Sequence, residues 1–523
     1  MKKILGGILC LSLSFALISC KKKSDTTSKT NTKTQTNTKT TTKAKTTIDI
    51  KDDNKNYVSD FTPIVSDTLP RIDITSNDGT MNFVTDPTRE TKDNYDYQAC
   101  KVSVNNGTEL ELDSIDAGVK VRGNWTTNYD KKPLRIKFNK KQSMLGLNEG
   151  QKFKNWLLLA EYKDWSMIRN ASSFYLAHLM SDDYASDFRL VNVYINNQYW
   201  GVYLLCEQQE VKDGRIGISE AEELEGGAYY EGTDIGYFLE FDGYYYEEKP
   251  LEQFTINYGT LFSADGIPFN NFQKGFTIKS DIYSQAQNDF IKNYMQKTFK
   301  ICYEAIYNNK YYEFNSSYTE IVESNTLTNS YEAISKVIDV DSIVNSYILA
   351  EITCDVDVAW SSFYMDVDFG ANGDKLLRFE APWDFDSCYG NTRGCLDGKG
   401  LYAANIITNA SSEQAANPWY LLFIKCDWFK QLVKQKWNGM IEQNLFSKVT
   451  SYIDTVSTKY ETDFVNNYDK WHNCGWKGNG SPYGNEFDFS ESGNCTTQKE
   501  AATFMKNWLG TRVTNLTEIF NKF

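Results

Sequence analysis

Alternation of apolar and polar residues with a period of two characterises the first half of the chain and predicts β-strands. Between residues 69 and 140 this pattern recurs in short stretches that turn residues separate. Two later stretches are separated only by Asn-Asn-Gln at 196–198, which indicates a β-hairpin. The predicted strands are 71–74, 97–104, 118–122, 134–138, 188–195, 199–206, 236–242 and 275–279.

Apolar residues at helical spacing replace this alternation in much of the second half. In one such segment Val344, Tyr347 and Ile348 share a face, and Asp339 or Asp341 supplies a cap. Strands followed by helices predict an α+β fold, with a strand-rich lobe near 68–280 and a helical lobe near 281–523. The predicted helices are 164–179, 285–307, 341–352, 419–432, 446–468 and 496–520.

One further β-hairpin is predicted inside the helical part. Two alternating stretches, 363–369 and 376–381, flank Gly-Ala-Asn-Gly, and Asn-Gly is typical of tight hairpin turns. If positions 371 and 372 are central in the turn, Asp357 lies opposite Asp386. If positions 372 and 373 are central, Asp386 lies opposite Ala359. Either register brings the acidic residues that flank the hairpin to the same end.

Those acidic residues form two pairs, Asp355 with Asp357 and Asp384 with Asp386. Carboxylates held close together repel one another unless a cation or a proton lies between them. Oxygen ligands without a nearby histidine suit Mg²⁺ or Mn²⁺ better than zinc. The sequence therefore predicts a divalent metal site at the end of the hairpin.

The surroundings of the second pair favour this interpretation over a solvated acidic turn or a structural Ca²⁺ site. Trp383 and Phe385 alternate with the aspartates, so the aromatic rings are expected in the core and the carboxylates in a cleft. Asp366 and Asp368, on the predicted strand itself, are interpreted as a solvated face.

The first 20 residues have the pattern of a secretory signal, with Lys2-Lys3 before an apolar run and Leu-Ile-Ser-Cys at its end. This ending resembles the bacterial lipoprotein box, which predicts lipidation of Cys20 and anchoring in a bacterial cell envelope. An ordinary signal peptide or an uncleaved anchor is the alternative. Residues 21–67, rich in Lys and Thr up to about 47, are predicted to be a flexible tether.

Composition narrows the possible chemistry. The net charge of −14 argues against nucleic acid as a partner. The chain has two histidines, His178 and His472, which are far apart in sequence. This argues against a Ser-His-Asp mechanism and against a histidine-bound metal. Eleven cysteines are scattered without a CxxC pair, and disulfides between Cys474 and Cys495 or between Cys388 and Cys395 are conceivable.

Three further blocks carry a family resemblance. They are KVRGNWTTNYDKKPLRIKF at 120–138, WLLLAEYKDWSMIRNASSFYLAHLM at 156–180 and FRLVNVYINNQYWGVYLLCEQ at 188–208. Followed by the two acidic pairs, they closely resemble the spore-coat protein H (CotH) kinase family. The resemblance runs from about residue 69 to the C-terminal helix. It implies a diverged two-lobed protein-kinase-like fold and an atypical protein kinase that uses ATP and a divalent metal to phosphorylate serine.

The resemblance also implies roles for individual residues. Asp357 would orient or deprotonate the acceptor hydroxyl, as phosphoryl transfer requires. Asp386 and Asp384 would bind the metal, with Asp386 favoured. Lys132, or less favourably Lys131, would contact phosphate. The remaining candidates for phosphate contact or lobe packing are Arg122, Asn124 and Arg169, with Glu207 either facing the nucleotide cleft or pairing with a basic residue.

Departures from the family pattern leave alternatives open. Asp355 stands where the family has asparagine, which strengthens a metal site or raises the pKa of Asp357 by repulsion. Val358 replaces a glycine, and the proline near Lys131 and Lys132 follows the lysines instead of preceding them. We expect transfer of the γ-phosphate of ATP to Ser or Thr of an envelope or surface protein. An inactive surface scaffold and an AMP transferase are the alternatives.

Overall fold

A computed structural model of the chain describes residues 56–88, 95–181, 183–224, 229–391, 397–408, 412–472 and 495–523. The predicted signal, Cys20 and most of the tether lie outside these ranges, as do Cys395 and Cys474 of the two conceivable disulfides. No helix in the described ranges combines the length and the apolarity needed to cross a membrane.

Seven strands of the N-terminal part close into a barrel. In space their order is first, second, third, fourth, fifth, seventh and sixth, and the sixth closes the barrel by pairing in parallel with the first. Alternate residues such as Ile72, Val102 and Val119 are fully buried and fill the interior. The strands are β1 (Arg71–Ser76), β2 (Gln98–Asn105), β3 (Leu110–Val121), β4 (Leu134–Gln142), β5 (Phe153–Leu159), β6 (Phe188–Ile195) and β7 (Gln198–Glu207).

The two-residue alternation predicted most of this barrel, including the hairpin of β6 and β7. The fifth strand was not predicted. Its apolar run Trp156–Leu159 is buried on both faces, so it lacks the alternation that marks a half-exposed strand.

A second sheet joins residues that are far apart in sequence. Its strands are β8 (Gly236–Asp242), β9 (Gln253–Phe254), β12 (Gly275–Ile278) and β15 (Phe363–Asp368), in the spatial order β15-β8-β12-β9. Strand β15 therefore belongs to a sheet whose other strands precede residue 280. Three two-stranded ladders complete the β-structure: β10 (Leu261–Phe262) with β11 (Pro268–Phe269), β13 (Tyr312–Phe314) with β14 (Ile321–Glu323), and β16 (Ile407–Thr408) with β17 (Gln414–Ala415).

Helices dominate the C-terminal part, as predicted, and the mixed α+β class is confirmed. The predicted helix 419–432 is divided at Cys426, and the predicted helix 446–468 at Tyr460, because these residues leave helical backbone geometry. The helices are α1 (Asn82–Thr85), α2 (Arg169–Leu179), α3 (Gln285–Tyr303), α4 (Ser330–Ile334), α5 (Val340–Thr353), α6 (Pro418–Phe423), α7 (Asp427–Glu442), α8 (Leu445–Lys459), α9 (Glu461–Trp471) and α10 (Gln498–Phe520).

The regular hairpin predicted at 363–381 is wrong. Strand β15 pairs along its length with β8, and its other edge meets the following segment only where Asp366 and Arg378 exchange backbone hydrogen bonds of 3.0 and 2.9 Å. This pairing fits neither predicted register. Leu377 instead donates to the Val337 carbonyl, and Lys375 has a φ of 64° that interrupts extended structure.

A buried ion pair connects the C-terminal helix to α5. Arg512 Nη2 lies 2.7 Å from Glu351 Oε2, and both side chains are fully buried. The guanidinium also donates to the carbonyls of Glu351, Gly398 and Gly400, while the Glu351 carboxylate accepts from the backbone N–H of Tyr402. This network joins α10, α5 and the segment after the acidic residues.

We expect Arg512→Ala to lower the free energy of unfolding by about 3–5 kcal/mol, because it leaves the Glu351 charge buried without its partner. Chemical denaturation monitored by circular dichroism measures the change. Lys506→Ala is the matched control on the same helix, since it removes an exposed pair with Asp454 and should cost less than about 1 kcal/mol. Equal effects of the two substitutions would contradict the assignment.

Candidate functional site

The first acidic pair leaves the C-terminal end of α5. Cys354, with a φ of 50°, ends the helix in the left-handed conformation, and a 3₁₀ turn at Asp357–Ala359 follows. The Asp355 carboxylate accepts a hydrogen bond of 3.0 Å from the Asp357 backbone N–H. A short turn therefore fixes both aspartates relative to the helix.

The second pair lies on the segment 382–391, and two aromatic anchors hold it. Trp383 and Phe385 are buried and pack against Phe174 of α2, with ring centroids 5.5 and 6.2 Å apart, respectively. Asp384 lies between the two aromatic residues and Asp386 follows the second, and both aspartates are half-buried. The predicted burial of the two aromatic anchors is confirmed, and the position of the carboxylates in a cleft stays a prediction.

The first turn of α2 fixes this segment through the backbone. Asn170 accepts from the Phe385 N–H at 2.8 Å, and Arg169 Nε donates to the Cys388 carbonyl at 3.0 Å. Arg169 is itself fully buried and paired with Asp164, which also caps the start of α2. Arg169 thus lies beneath the acidic segment and supports it.

The four aspartates, which we call the acidic cluster, influence one another electrostatically. Burial, and next the Asp355 charge, raises the pKa of Asp357 to about 7. Burial, with repulsion from Asp384 as a smaller cause, raises the pKa of Asp355 to about 8. Burial and then Asp386 and Asp357 raise the pKa of Asp384 well above its usual value. The structure therefore brings both predicted pairs to one place.

Two cations face the acidic cluster. Lys163 Nζ lies 3.8 Å from Asp386 Oδ1 and donates to the Ser387 hydroxyl. It also lowers the pKa of Asp357 and Asp384 against the larger effect of burial. Arg122, predicted from the resemblance, lies with its guanidinium carbon 5.6 Å from the Trp383 ring centroid. Its charge also lowers the pKa of Asp384 against the larger effect of burial.

Sequence reasoning missed Lys163 and its neighbour Glu161, although both lie in the quoted segment WLLLAEYKDW. They follow β5 directly, and that strand was not recognised. Glu161 is buried, and Asn170 donates to both of its carboxylate oxygens at 3.1 Å. Burial, with repulsion from Asp164 and Asp386, raises the pKa of Glu161 well above its usual value.

The two predicted lysines have different environments. Lys131 is fully buried and donates to the carbonyls of Ala160 and Val202, with Nζ 4.3 Å from the Tyr203 ring centroid. Burial lowers the pKa of Lys131 well below its usual range, and the charge of Glu161 opposes this effect. Lys132 is half-buried and donates to the Tyr129 carbonyl at 2.7 Å.

The two remaining predicted residues lie in other local networks. Asn124 precedes a 3₁₀ turn and accepts from the Thr127 hydroxyl through its carbonyl. Glu207 is buried and pairs with Arg215, whose Nε lies 3.0 Å from its carboxylate. Of the two predicted alternatives for Glu207, the structure has the ion pair.

The acidic cluster has the donor chemistry of a magnesium or manganese site, since the pKa values of Asp355, Asp357 and Asp384 are raised and a shared cation would relieve the repulsion between the carboxylates. In the described part of the chain, no three His, Cys, Asp or Glu side chains are arranged so that they could hold a metal ion. The carboxylates thus suit the ion in chemistry, but their arrangement does not by itself form a metal site, and the ligand set stays a prediction.

Comparison with known proteins assigns the chain to a family. A family model described as CotH kinase protein matches residues 119–516, which is more than half of the chain. The match includes the acidic cluster, both predicted lysines and most of the segments that support them. No curated protein matches the chain.

A second carboxyl pair lies behind the acidic cluster. The prediction that Asp366 lies on a solvated face is wrong, because Asp366 is buried in the centre of β15, where it hydrogen bonds with Glu380. Glu380 and Asp355 also line a cavity of about 30 Å³, which has room for one water molecule. Burial raises the pKa of Asp366 to about 7 and that of Glu380 well above its usual value.

This pair should make the protein less stable as the pH rises. In the unfolded chain both carboxyls ionise near pH 4, whereas the folded protein retains a proton between Asp366 and Glu380. Their contribution to stability is therefore fully present below about pH 4 and is lost as the pH rises through the folded pKa, near 7 for Asp366.

We expect Glu380→Gln to flatten the decline in stability between about pH 5 and pH 8, since its amide N–H donates to Asp366 without a titrating proton. Denaturation midpoints across this range measure the slope. Asp289→Asn, at an exposed position of α3, is the control and should leave the slope unchanged. An unaltered slope in Glu380→Gln would show that the pair does not share a proton.

Proposed function

The chain belongs to the CotH kinase family, and from this membership we propose that it transfers the γ-phosphoryl group of ATP to a Ser or Thr hydroxyl of a protein. The family suggests an atypical protein kinase that uses ATP and acts on a substrate it phosphorylates. The observation that supports the proposal most directly is the acidic cluster, in which carboxylates from two distant segments influence one another beside Lys163 and Arg122.

Asp357 is proposed as the group that orients or deprotonates the acceptor hydroxyl. Its pKa of about 7 suits this role, because a general base works best when its pKa lies near the operating pH. The 3₁₀ turn and the hydrogen bond to Asp355 hold it in place. The charge of Asp355, which replaces the amide usual in the family, contributes to this raised pKa.

Asp384 and Asp386 are proposed to hold Mg²⁺ or Mn²⁺ together with phosphate oxygens of the nucleotide, and Asp355 is proposed as a further ligand that must reorient when the ion binds. When bound, this ion would offset negative charge on the transferring phosphoryl group. Lys163 and Arg122 lie beside the same carboxylates and are proposed to contact phosphate. Until a metal and nucleotide bind, Lys163 partly balances the carboxylates, which keeps the cluster stable in their absence.

Lys131 and Lys132 suit different roles. Lys131 is fully buried, donates to the Ala160 and Val202 carbonyls and lies close enough to Glu161 to act on its pKa, so we propose that it positions Glu161. Lys132 is half-buried, and we propose it for phosphate contact, in the order that the resemblance implied.

The location of the enzyme is a proposal of its own. Lipidation at Cys20 and a Lys- and Thr-rich tether would place the kinase domain at a bacterial envelope, where surface proteins are the available acceptors. A catalytically inactive member at the same location would serve as a binding scaffold.

We expect ATP with Mg²⁺ to raise the unfolding temperature of the full chain. Nucleotide at about 100 times its Kd adds about 2.7 kcal/mol of stability. Asp386→Ala should abolish the shift because it removes a metal ligand, whereas Asp289→Ala, at an exposed position far along the chain, should retain it. Differential scanning fluorimetry measures both. If millimolar ATP changes the unfolding temperature of neither protein, the inactive scaffold is the better explanation.

We also expect label from γ-labelled ATP, and not from α-labelled ATP, to appear on the chain itself or on a generic acceptor such as casein. Asp357→Ala should reduce the rate by about 100-fold or more, which is typical for loss of an acid–base group. Asp289→Ala, at an exposed position of α3, is the control for a non-specific loss of activity. Transfer of the α label would indicate AMP transfer, and an undiminished rate in Asp357→Ala would refute its assigned role.

A further inference from the structure

A groove on the outside of the barrel is separate from the acidic cluster. It lies between the β6–β7 hairpin and α9 and has a volume of about 470 Å³, within the range of about 300–1,000 Å³ typical of small-molecule sites. The hairpin contributes Asn192, Tyr194 and Tyr199, and α9 contributes Asp463, Asn466, Asp469 and Lys470.

Two tyrosines form the aromatic part of the groove. The rings of Tyr194 and Tyr199 meet edge to face with centroids 5.4 Å apart. Arg71 stacks on Tyr194 at 3.7 Å and holds this ring in position. Burial, with smaller effects of Asp463 and Tyr194, raises the pKa of Tyr199, so its hydroxyl stays protonated; without a ligand it donates to the Asp463 carbonyl at 3.4 Å.

The polar part of the groove is rich in acceptors. Asn192 Nδ2 donates to Asp463 Oδ1 at 2.7 Å, which orients the amide. Its Oδ1 is buried and has no hydrogen-bond partner among the residues that the structure describes. A buried amide oxygen without a partner is unfavourable, but this oxygen is closed off from solvent, so it is not available to a ligand in the groove. The carboxylate of Asp469 and the amide of Asn466 lie exposed on the same wall.

Both walls of the groove are fixed. Asn467 on the inner side of α9 accepts from the Val202 N–H at 3.0 Å, and Trp471 Nε1 donates to the Trp200 carbonyl at 2.6 Å. Gly201 between them has a φ of 126°, and a Cβ there would lie 2.5 Å from the Asn467 oxygen. Helix and strand therefore approach too closely for any other residue, and the groove is held open without a ligand.

We infer that this groove binds a neutral oligosaccharide. Sugar rings present hydroxyl donors along their edges and C–H groups on their faces, which matches carboxylate and amide acceptors beside tyrosine rings. The groove has two aspartates against one lysine, Lys470, and together with the net charge of −14 this disfavours anionic ligands, including nucleic acids. A purely apolar ligand would leave the exposed polar groups of Asn466 and Asp469 without hydrogen-bond partners. This inference is independent of the proposed kinase activity.

The test uses the full chain without nucleotide and a panel of tetra- to hexasaccharides of glucose (β-1,4 and α-1,4) and of N-acetylglucosamine. Isothermal titration calorimetry and saturation-transfer NMR measure binding. We expect at least one member to bind with a Kd between about 10 μM and 1 mM, as is usual for a shallow polar site. The double variant Asn466→Ala with Asp469→Ala should weaken it at least tenfold.

Both substituted positions are exposed on α9, so folding should be unaffected, and Asp454→Ala on α8 is the matched control that should bind normally. Tyr199→Phe tests the hydroxyl donor separately. Asp357→Ala should retain full binding, which distinguishes the groove from the acidic cluster. The inference fails if no sugar of the panel binds at 10 mM, if the double variant binds like the control, or if unrelated peptides bind the groove instead.

Discussion

The contact between the first turn of α2 and the segment that carries Asp384 and Asp386 is the constraint on which the site depends. Asn170 binds Glu161 with its amide N–H groups and the Phe385 N–H with its amide oxygen. One side chain therefore joins the end of the barrel to the acidic segment. Arg169, beside it in the helix, binds the Cys388 carbonyl from below. Together with the packing of Trp383 and Phe385 on Phe174, these two residues hold the acidic segment in place.

Such a support is needed because the acidic cluster is unfavourable in itself. Like charges in a poorly solvated place repel, and the raised pKa values of Asp355, Asp357 and Asp384 express that cost. Strain of this kind is typical of functional sites, where the surrounding structure enforces an arrangement that a ligand later relieves. The family match suggests why carboxylates would be clustered in this way, because the proposed phosphoryl transfer needs a base and metal ligands at one place.

Patterns in the sequence predicted those parts of the structure that depend on residues close together in the chain. The β6–β7 hairpin and the alternation of Trp383 and Phe385 with the aspartates follow from residues next to one another in sequence. Long-range pairing decided the rest. Strand β15 met β8, more than a hundred residues earlier in sequence, and this buried Asp366 on what looked like a solvated face. No period in the sequence distinguishes a polar residue that faces water from one that faces a second buried carboxyl.

The same reason explains why Glu161 and Lys163 were not recognised and why the different environments of Lys131 and Lys132 could not be predicted. Strand β5 is apolar on both faces, so its end, where Glu161 and Lys163 lie, carried no recognisable marker. The two adjacent lysines precede β4 in an irregular segment, and only the path of the folded chain decides which of them is buried. Lys131 is buried and donates to the Val202 carbonyl of β7. Tyr199, on the same strand, lines the outer groove. Strand β7 thus contributes to the surroundings of both sites, because its successive residues face opposite sides of the barrel wall.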